Sequence, residues 1–159
     1  MALKQSLIEN NSIKLHQTAA DWRSAIKLGT DMLVESGAIK PCYYDAIVSS
    51  VEQLGPYIII APNLALPHAR PEQGVIRTAF ALVTLDTPVY FEGEDEPVDV
   101  MIVLAGSTSD QHMEGLVEVT EVLDDEDSPT GVNLDKLRQC QTKEDVYRVI
   151  DQSLAAQTA

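Results

Sequence analysis

Cysteine is scarce in this chain, and the two present, Cys42 and Cys140, share neither a metal-binding nor a redox spacing. They read as reduced thiols rather than as a bridge or a ligand pair. Positive charge is also short: 11 Lys and Arg stand against 25 Asp and Glu, a net charge of −14. Binding a polyphosphate relies on Lys and Arg to displace counterions, so no nucleic acid partner is expected and a basic protein surface is favoured. No apolar run approaches the roughly 20 residues of a membrane span, and "MALKQSLIENN" lacks the apolar core of a signal peptide. Direct membrane insertion is therefore not expected, and the cytoplasm is the expected location. Aromatic residues are few, at 5%. The 45% apolar content nonetheless suits one domain, 1–159, that buries a core without crosslinks.

Several chemical signatures are missing as well. "HMEGLVE" contains H-x-E, but no P-C-x-x-C follows, and there is no H-E-x-x-H, so zinc deaminase and metalloprotease chemistry lack their ligand sets. A G-x-S-x-G elbow and a P-loop are both absent. The acidic blocks "EGEDEPVD" and "DDED" lack calcium-loop spacing and read as solvated loops.

What is present is a change of period along the chain. Thr18 and Asp21 stand in capping-box spacing before a helical stripe of Trp22, Ala25, Ile26, Met32 and Leu33, which ends ahead of Gly37. Pro41 opens a second helix with Tyr44, Ile47, Val48, Val51 and Leu54 on one stripe, stopped by Gly55 and Pro56. The runs "YIIIA" (57–61), "RTAFALVTL" (77–85) and "VDVMIVLAG" (98–106) read as strands covered on both faces. A further helix carries Met113, Leu116, Val117, Thr120 and Leu123 on one expected face, and "NLDKLRQC" and "TKEDVYRVIDQSLAA" read as helices, the latter capped by Thr142 and Asp145. The expected fold class is α/β, a three-layer α/β/α sandwich with a mixed sheet flanked by helices. The short "TPVYFEGEDEP" connection suits antiparallel neighbours, which is why the sheet is expected to be mixed.

Two of the three histidines sit where chemistry is possible. In "NLALPHARPEQGV", Pro67 and Pro71 restrict the backbone around His68, and a stiffly presented neutral imidazole is a competent nucleophile. His112 falls in the first turn of a helix after a strand, where the helix dipole disfavours imidazolium and favours an anion. Both turns follow strands, so they can converge in a crevice beyond strand carboxyl ends. Arg70 adds a guanidinium able to stabilise a transferring phosphoryl group, or else pairs with Glu72. His16, in "KLHQT", reads as structural.

The segment "NLALPHARPEQGV", with the A-[LI]-P-H-[AG] turn, and the second histidine in "SDQHMEGL" resemble the enzyme IIA components of the bacterial phosphoenolpyruvate-dependent sugar phosphotransferase system, mannitol/fructose type. The approach "VEQLGPYIIIAPN" is most like the ascorbate-specific subgroup. The resemblance implies that His68 accepts a phosphoryl group from the phosphocarrier protein HPr and passes it to a cysteine of an enzyme IIB, which serves a membrane IIC transporter. It implies that His112 is the second active-site histidine, and that neither metal nor cofactor is required. Mannitol-type members carry an arginine on the preceding helix, where this chain reads "SSVEQLG" with Glu52, so Arg70 is the candidate replacement. Leu64, Leu66 and Ala69 are the expected apolar contact patch. Two alternatives stay open: a regulatory phosphorylatable module of the same fold without onward transfer to a IIB protein, and a metal-dependent hydrolase using His68 and His112.

Overall fold

Along the longest strand the side chains alternate between two separate cores. Ala79, Ala81, Val83 and Leu85 pack into one apolar cluster, while Phe80 and Leu82 pack into the other. The next strand divides in the same way, with Met101, Val103 and Ala105 on the first side and Val100, Ile102 and Leu104 on the second. A strand buried on both faces has no polar side, hence the continuous apolar runs.

The computed structural model describes residues 2–125, 127–129 and 131–158. Its elements are α1 (Ala2–Asn10), β1 (Ile13–Gln17), α2 (Trp22–Glu35), α3 (Cys42–Leu54), β2 (Ile59–Ala61), β3 (Asn63–Ala65), β4 (Ala79–Tyr90), β5 (Pro97–Ala105), α4 (Ser109–Leu123), α5 (Asp135–Arg138) and α6 (Lys143–Thr158), with a 3-10 turn over Pro71–Gln73. The strands form one sheet in the order β1-β4-β5-β3-β2. β1 runs parallel to β4 and β3 parallel to β5, whereas β4 with β5 and β2 with β3 are antiparallel. Helices α2 and α3 cover one face, and α1, α4, α5 and α6 cover the other. This is the expected three-layer sandwich with a mixed sheet. α2 lies unusually close to it: a Cβ at Gly29 would sit 2.6 Å from Cγ2 of Val103, too near for any side chain there.

Several local expectations change. The cap of α2 is Asp21 alone, whose side chain accepts from Ser24 N. The Thr142–Asp145 box does form in both directions. On α3, Tyr43 is fully buried and Leu54 is 75% exposed, because the buried stripe runs Tyr43, Ile47, Val51 at four-residue spacing. On α4 the buried residues are Gly115, Val119, Val122 and Leu123, while Met113 and Val117 face outward. Gly115 sets that rotation: it is where the helix touches the sheet, since a Cβ there would meet Leu104 at 2.7 Å. "YIIIA" is not a central strand, because β2 lies at the sheet edge with Ile60 exposed. Asn63, at φ +72°, follows the reversal into β3 and donates from Nδ2 to Pro97 O at 2.8 Å. The first two elements, α1 and β1, carry no period strong enough to predict.

Candidate active site

Because β3 and β5 are adjacent and parallel, with Leu64 opposite Val100 and Ala65 opposite Met101, the chain leaves both strands at the same edge of the sheet. The segment after β3 carries His68 and the segment after β5 carries His112. The strand that delivers His68 is β3, and not the isoleucine run. Leu104 N donates to Pro67 O at 3.0 Å, stitching the histidine turn to β5. Gly106 then lets the first turn of α4 fold directly onto the strand end, since a Cβ at this position would lie 2.7 Å from His112 Cα. Thr108 caps α4 by accepting from Gln111 N at 3.1 Å, and His112 N makes the first helical bond, to Thr108 O at 2.9 Å.

The two imidazoles consequently meet, with ring centroids 4.9 Å apart at 62°. His68 Nδ1 lies 2.6 Å from Leu66 O. A carbonyl only accepts, so Nδ1 carries the proton and Nε2 keeps its lone pair. Burial depresses the His68 pKa below its ordinary 6.5, opposed by the Leu66 bond and assisted by His112. Burial depresses His112 also. Nδ1 of His112 is buried and has no hydrogen-bond partner among the described residues, which leaves that ring with unused capacity. The pair thus stays neutral at pH 7, one ring with a free nucleophilic nitrogen and the other next to it.

An open pocket surrounds both rings. Arg70, Ser50, Gln53, Tyr57, Ser109 and Met113 are among the residues that line it, and among its described lining there is no carboxylate. In a chain of charge −14 this is a locally acid-free site with one guanidinium. Arg70 has no ion-pair partner among the described residues, so the pairing with Glu72 does not form. Instead the turn closes on itself: Arg70 N donates to Gln73 Oε1 at 2.9 Å and Gln73 N to Arg70 O at 3.0 Å. On α3, where the resemblance to mannitol-type chains led to the expectation of an arginine, Ser50 and Gln53 reach the pocket, while Glu52 pairs with Arg23 at 3.1 Å. The apolar patch expected from Leu64, Leu66 and Ala69 is not available, since all three are buried. Alternation in β3 and anchoring of the turn send them inward. Leu54, at 75% exposure, and Met113, at 58%, take that place at the pocket wall.

Sequence reasoning missed two tyrosines. Tyr43, fully buried, accepts from Ala69 N at 2.9 Å and has Leu104 O and Ala69 O at 2.9 and 3.1 Å as acceptors for its proton; burial pushes its pKa up to about 12. Tyr57 donates to His68 O at 2.5 Å. The available signal was the four-residue spacing of Tyr43 to Ile47 for the first, and only the "GPY" string for the second.

His16 lies outside this site. Its Nδ1 faces Asp86 and its Nε2 faces Cys140 O, both at 2.8 Å, and two acceptors require two N–H donors. The carboxylate of Asp86, then the Cys140 carbonyl, raise its pKa above 6.5. It is not a turn residue, as "KLHQT" suggested, but sits in β1 at φ +55° beside a register shift. The three histidines should therefore titrate in two groups in an NMR pH series, His16 above 6.5 and His68 and His112 below. The stability signs are opposite. The His16 contribution is full below 6.5 and lost as pH rises through its folded pKa; the other two contribute nothing of this kind well above 6.5 and oppose the fold as pH falls below it. A His16 midpoint below that of His68 would contradict the assignment.

Among the described residues no group of three or more His, Cys, Asp or Glu side chains is placed to hold a metal ion, and no helix is long and apolar enough to cross a membrane. The family model described as "Phosphoenolpyruvate-dependent sugar phosphotransferase system, EIIA 2" matches residues 6–153. An ascorbate-specific PTS system EIIA component of Salmonella choleraesuis is 46% identical over 158 residues, covering 98% of this chain and 99% of that protein. The protein of the same description from Escherichia coli K12 is 44% identical over the same share of each chain. The solution structure of a mannitol-specific cryptic phosphotransferase enzyme IIA from Escherichia coli has a TM-score of 0.81 at 32% identity, covering 96% of this chain and 99% of that one. A strand pairing that brings two neutral histidines together and a match over nearly the whole chain lead to one conclusion: this chain belongs to the EIIA 2 family of the phosphoenolpyruvate-dependent sugar phosphotransferase system.

Proposed function

We propose that this chain is the cytoplasmic phosphocarrier of an ascorbate uptake system, accepting a phosphoryl group from HPr on His68 and passing it to a cysteine of an enzyme IIB that serves a membrane IIC transporter. The observation that carries the reading is the bond from His68 Nδ1 to Leu66 O at 2.6 Å, which leaves Nε2 as the nucleophile at an open pocket. The ascorbate assignment rests on the relatives' described specificity over nearly the full chain.

In the first step the Nε2 lone pair attacks phosphorus, and the P–N bond to the donor's protonated phosphoimidazole breaks, returning its electron pair to that ring. The donor leaves as neutral imidazole and His68 becomes the phosphoimidazolium. No proton has to move, because the Nδ1 proton is already in place and Leu66 O supports the new positive charge. In the second step a IIB thiolate attacks phosphorus and His68 leaves neutral, its low pKa making it a good leaving group. His112 donates an N–H to the phosphoryl oxygens, and Arg70 supplies the cation. Leu54 and Met113 are the apolar rim against which a partner docks, a small patch suited to fast exchange between two partners.

Incubation with phosphoenolpyruvate, enzyme I and HPr should place one acid-labile phosphoryl group on the chain, and addition of IIB should remove it. Label that is acquired but never discharged to any IIB protein would instead favour a regulatory module. Arg70→Gln is expected to slow transfer about 10-fold, as removal of one charge-assisted contact does; unchanged kinetics would take Arg70 out of the site.

A further inference from the structure

Four consecutive carbonyls frame His68, and each has a different donor within reach. Leu66 O accepts from the imidazole itself, Pro67 O from Leu104 N of β5, His68 O from the Tyr57 hydroxyl, and Ala69 O lies within hydrogen-bond distance of the Tyr43 hydroxyl. Three of these donors are buried or belong to the turn. Tyr57 is the exception: it is 37% exposed, stands in the pocket wall, and belongs to the loop between α3 and β2. It touches His68 twice. Besides the 2.5 Å bond to the carbonyl, its ring meets the imidazole edge-on, centroids 5.2 Å apart at 88°.

These contacts act on the geometry that the chemistry needs. The bond to the His68 carbonyl restrains that residue's backbone, and the edge-on contact restrains the imidazole that reaches back two residues to Leu66 O. A half-turn of the ring would put carbon against that carbonyl and move Nε2 off the pocket. Tyr57 opposes that turn, restraining the carbonyl by hydrogen bonding and the ring by packing. We infer that Tyr57 is a positioning residue for phosphoryl transfer: its hydroxyl and ring hold His68 in the Nδ1–H tautomer with Nε2 presented to the pocket. The inference rests on the phosphocarrier reading only for its kinetic consequence; the tautomer is a property of the resting protein.

Tyr57→Phe removes one oxygen from a partly exposed side chain, and Tyr90→Phe, at the opposite end of β4, is the control. Long-range 15N–1H correlation spectra of the unphosphorylated proteins read the His68 tautomer, and rapid-quench labelling from phospho-HPr reads the transfer rate. In Tyr57→Phe the Nδ1–H form is expected to lose its dominance and the rate to fall about 10-fold, a loss typical of a nucleophile displaced by a fraction of an ångström. Tyr90→Phe should match the wild type in both. A wild-type tautomer in Tyr57→Phe overturns the inference whether or not the rate falls, since a rate loss alone would mean that Tyr57 serves docking. If the wild-type chain takes no label, the phosphocarrier reading fails instead, and the tautomer result still decides what Tyr57 does to His68.

Discussion

His68→Ala should take up no acid-labile phosphoryl group from phosphoenolpyruvate, enzyme I and HPr, with labelling at least ~10³-fold below the wild type, because the bond-forming nitrogen is gone and His112, the other imidazole in the pocket, buries its Nδ1 and in the proposed reaction turns an N–H, not a lone pair, toward the phosphoryl group. Fold is not expected to change, since the imidazole is only half-buried and its one hydrogen bond is to its own turn. The pH profile of the wild type is a second check on the same residue. In the proposed reaction the neutral ring is the nucleophile, and burial holds its pKa below 6.5, so the acceptance rate should stay flat from pH 8 to about 6.5 and decline only in more acidic solution. Label at wild-type level in His68→Ala, or a decline that begins well above 6.5, would remove His68 from the role.

His112→Ala should separate acceptance from delivery. The variant keeps the nucleophile and is expected to label at His68, while transfer onward to IIB slows by about 10²-fold, the cost of losing one preorganised N–H donor to the charge on a transferring group. His112→Gln, whose amide can also donate, should recover part of the loss. Rapid-quench transfer to purified IIB measures both. A variant that accepts nothing would contradict this division of roles and would mean that His112 is required to present His68. The rings are in contact, with centroids 4.9 Å apart, so α4 does touch the His68 imidazole. The physical case against it is that Leu66 O and Tyr57 hold the His68 residue independently of α4.

Much of the site was legible because its signals are local. Pro67 and Pro71 announce a restricted turn, Thr108 announces a helix start, and the placement of His112 in that first turn follows by counting. The contact patch was misread for an equally local reason. Leu64, Leu66 and Ala69 are near His68 in sequence, but a strand alternates and a turn anchored by Tyr43 and β5 directs its apolar side chains inward. Met113 and Val117 were grouped with Leu116 and Leu123 on one helical face but point outward, because periodicity gives a stripe without saying which stripe packs. Gly115 settles the rotation of α4, and its reason lies on β5. The tyrosines were invisible because a hydroxyl's acceptor cannot be inferred from its neighbours in sequence.

From sequence alone follow the hydrophobic periods, the caps at Thr142 and Thr108, the alternation of helices with strands that makes a layered α/β fold, and the stiff turn carrying His68. Each depends on residues within a few positions of one another. Only the tertiary structure decided that β3 lies beside β5 in parallel, that Gly106 lets α4 settle onto that strand end, and that two imidazoles 44 positions apart therefore share one pocket with no carboxylate in its described lining. Strand order and register are chosen by side-chain packing and backbone pairing across the whole sheet, and those energies are set by contacts between residues that no local pattern relates.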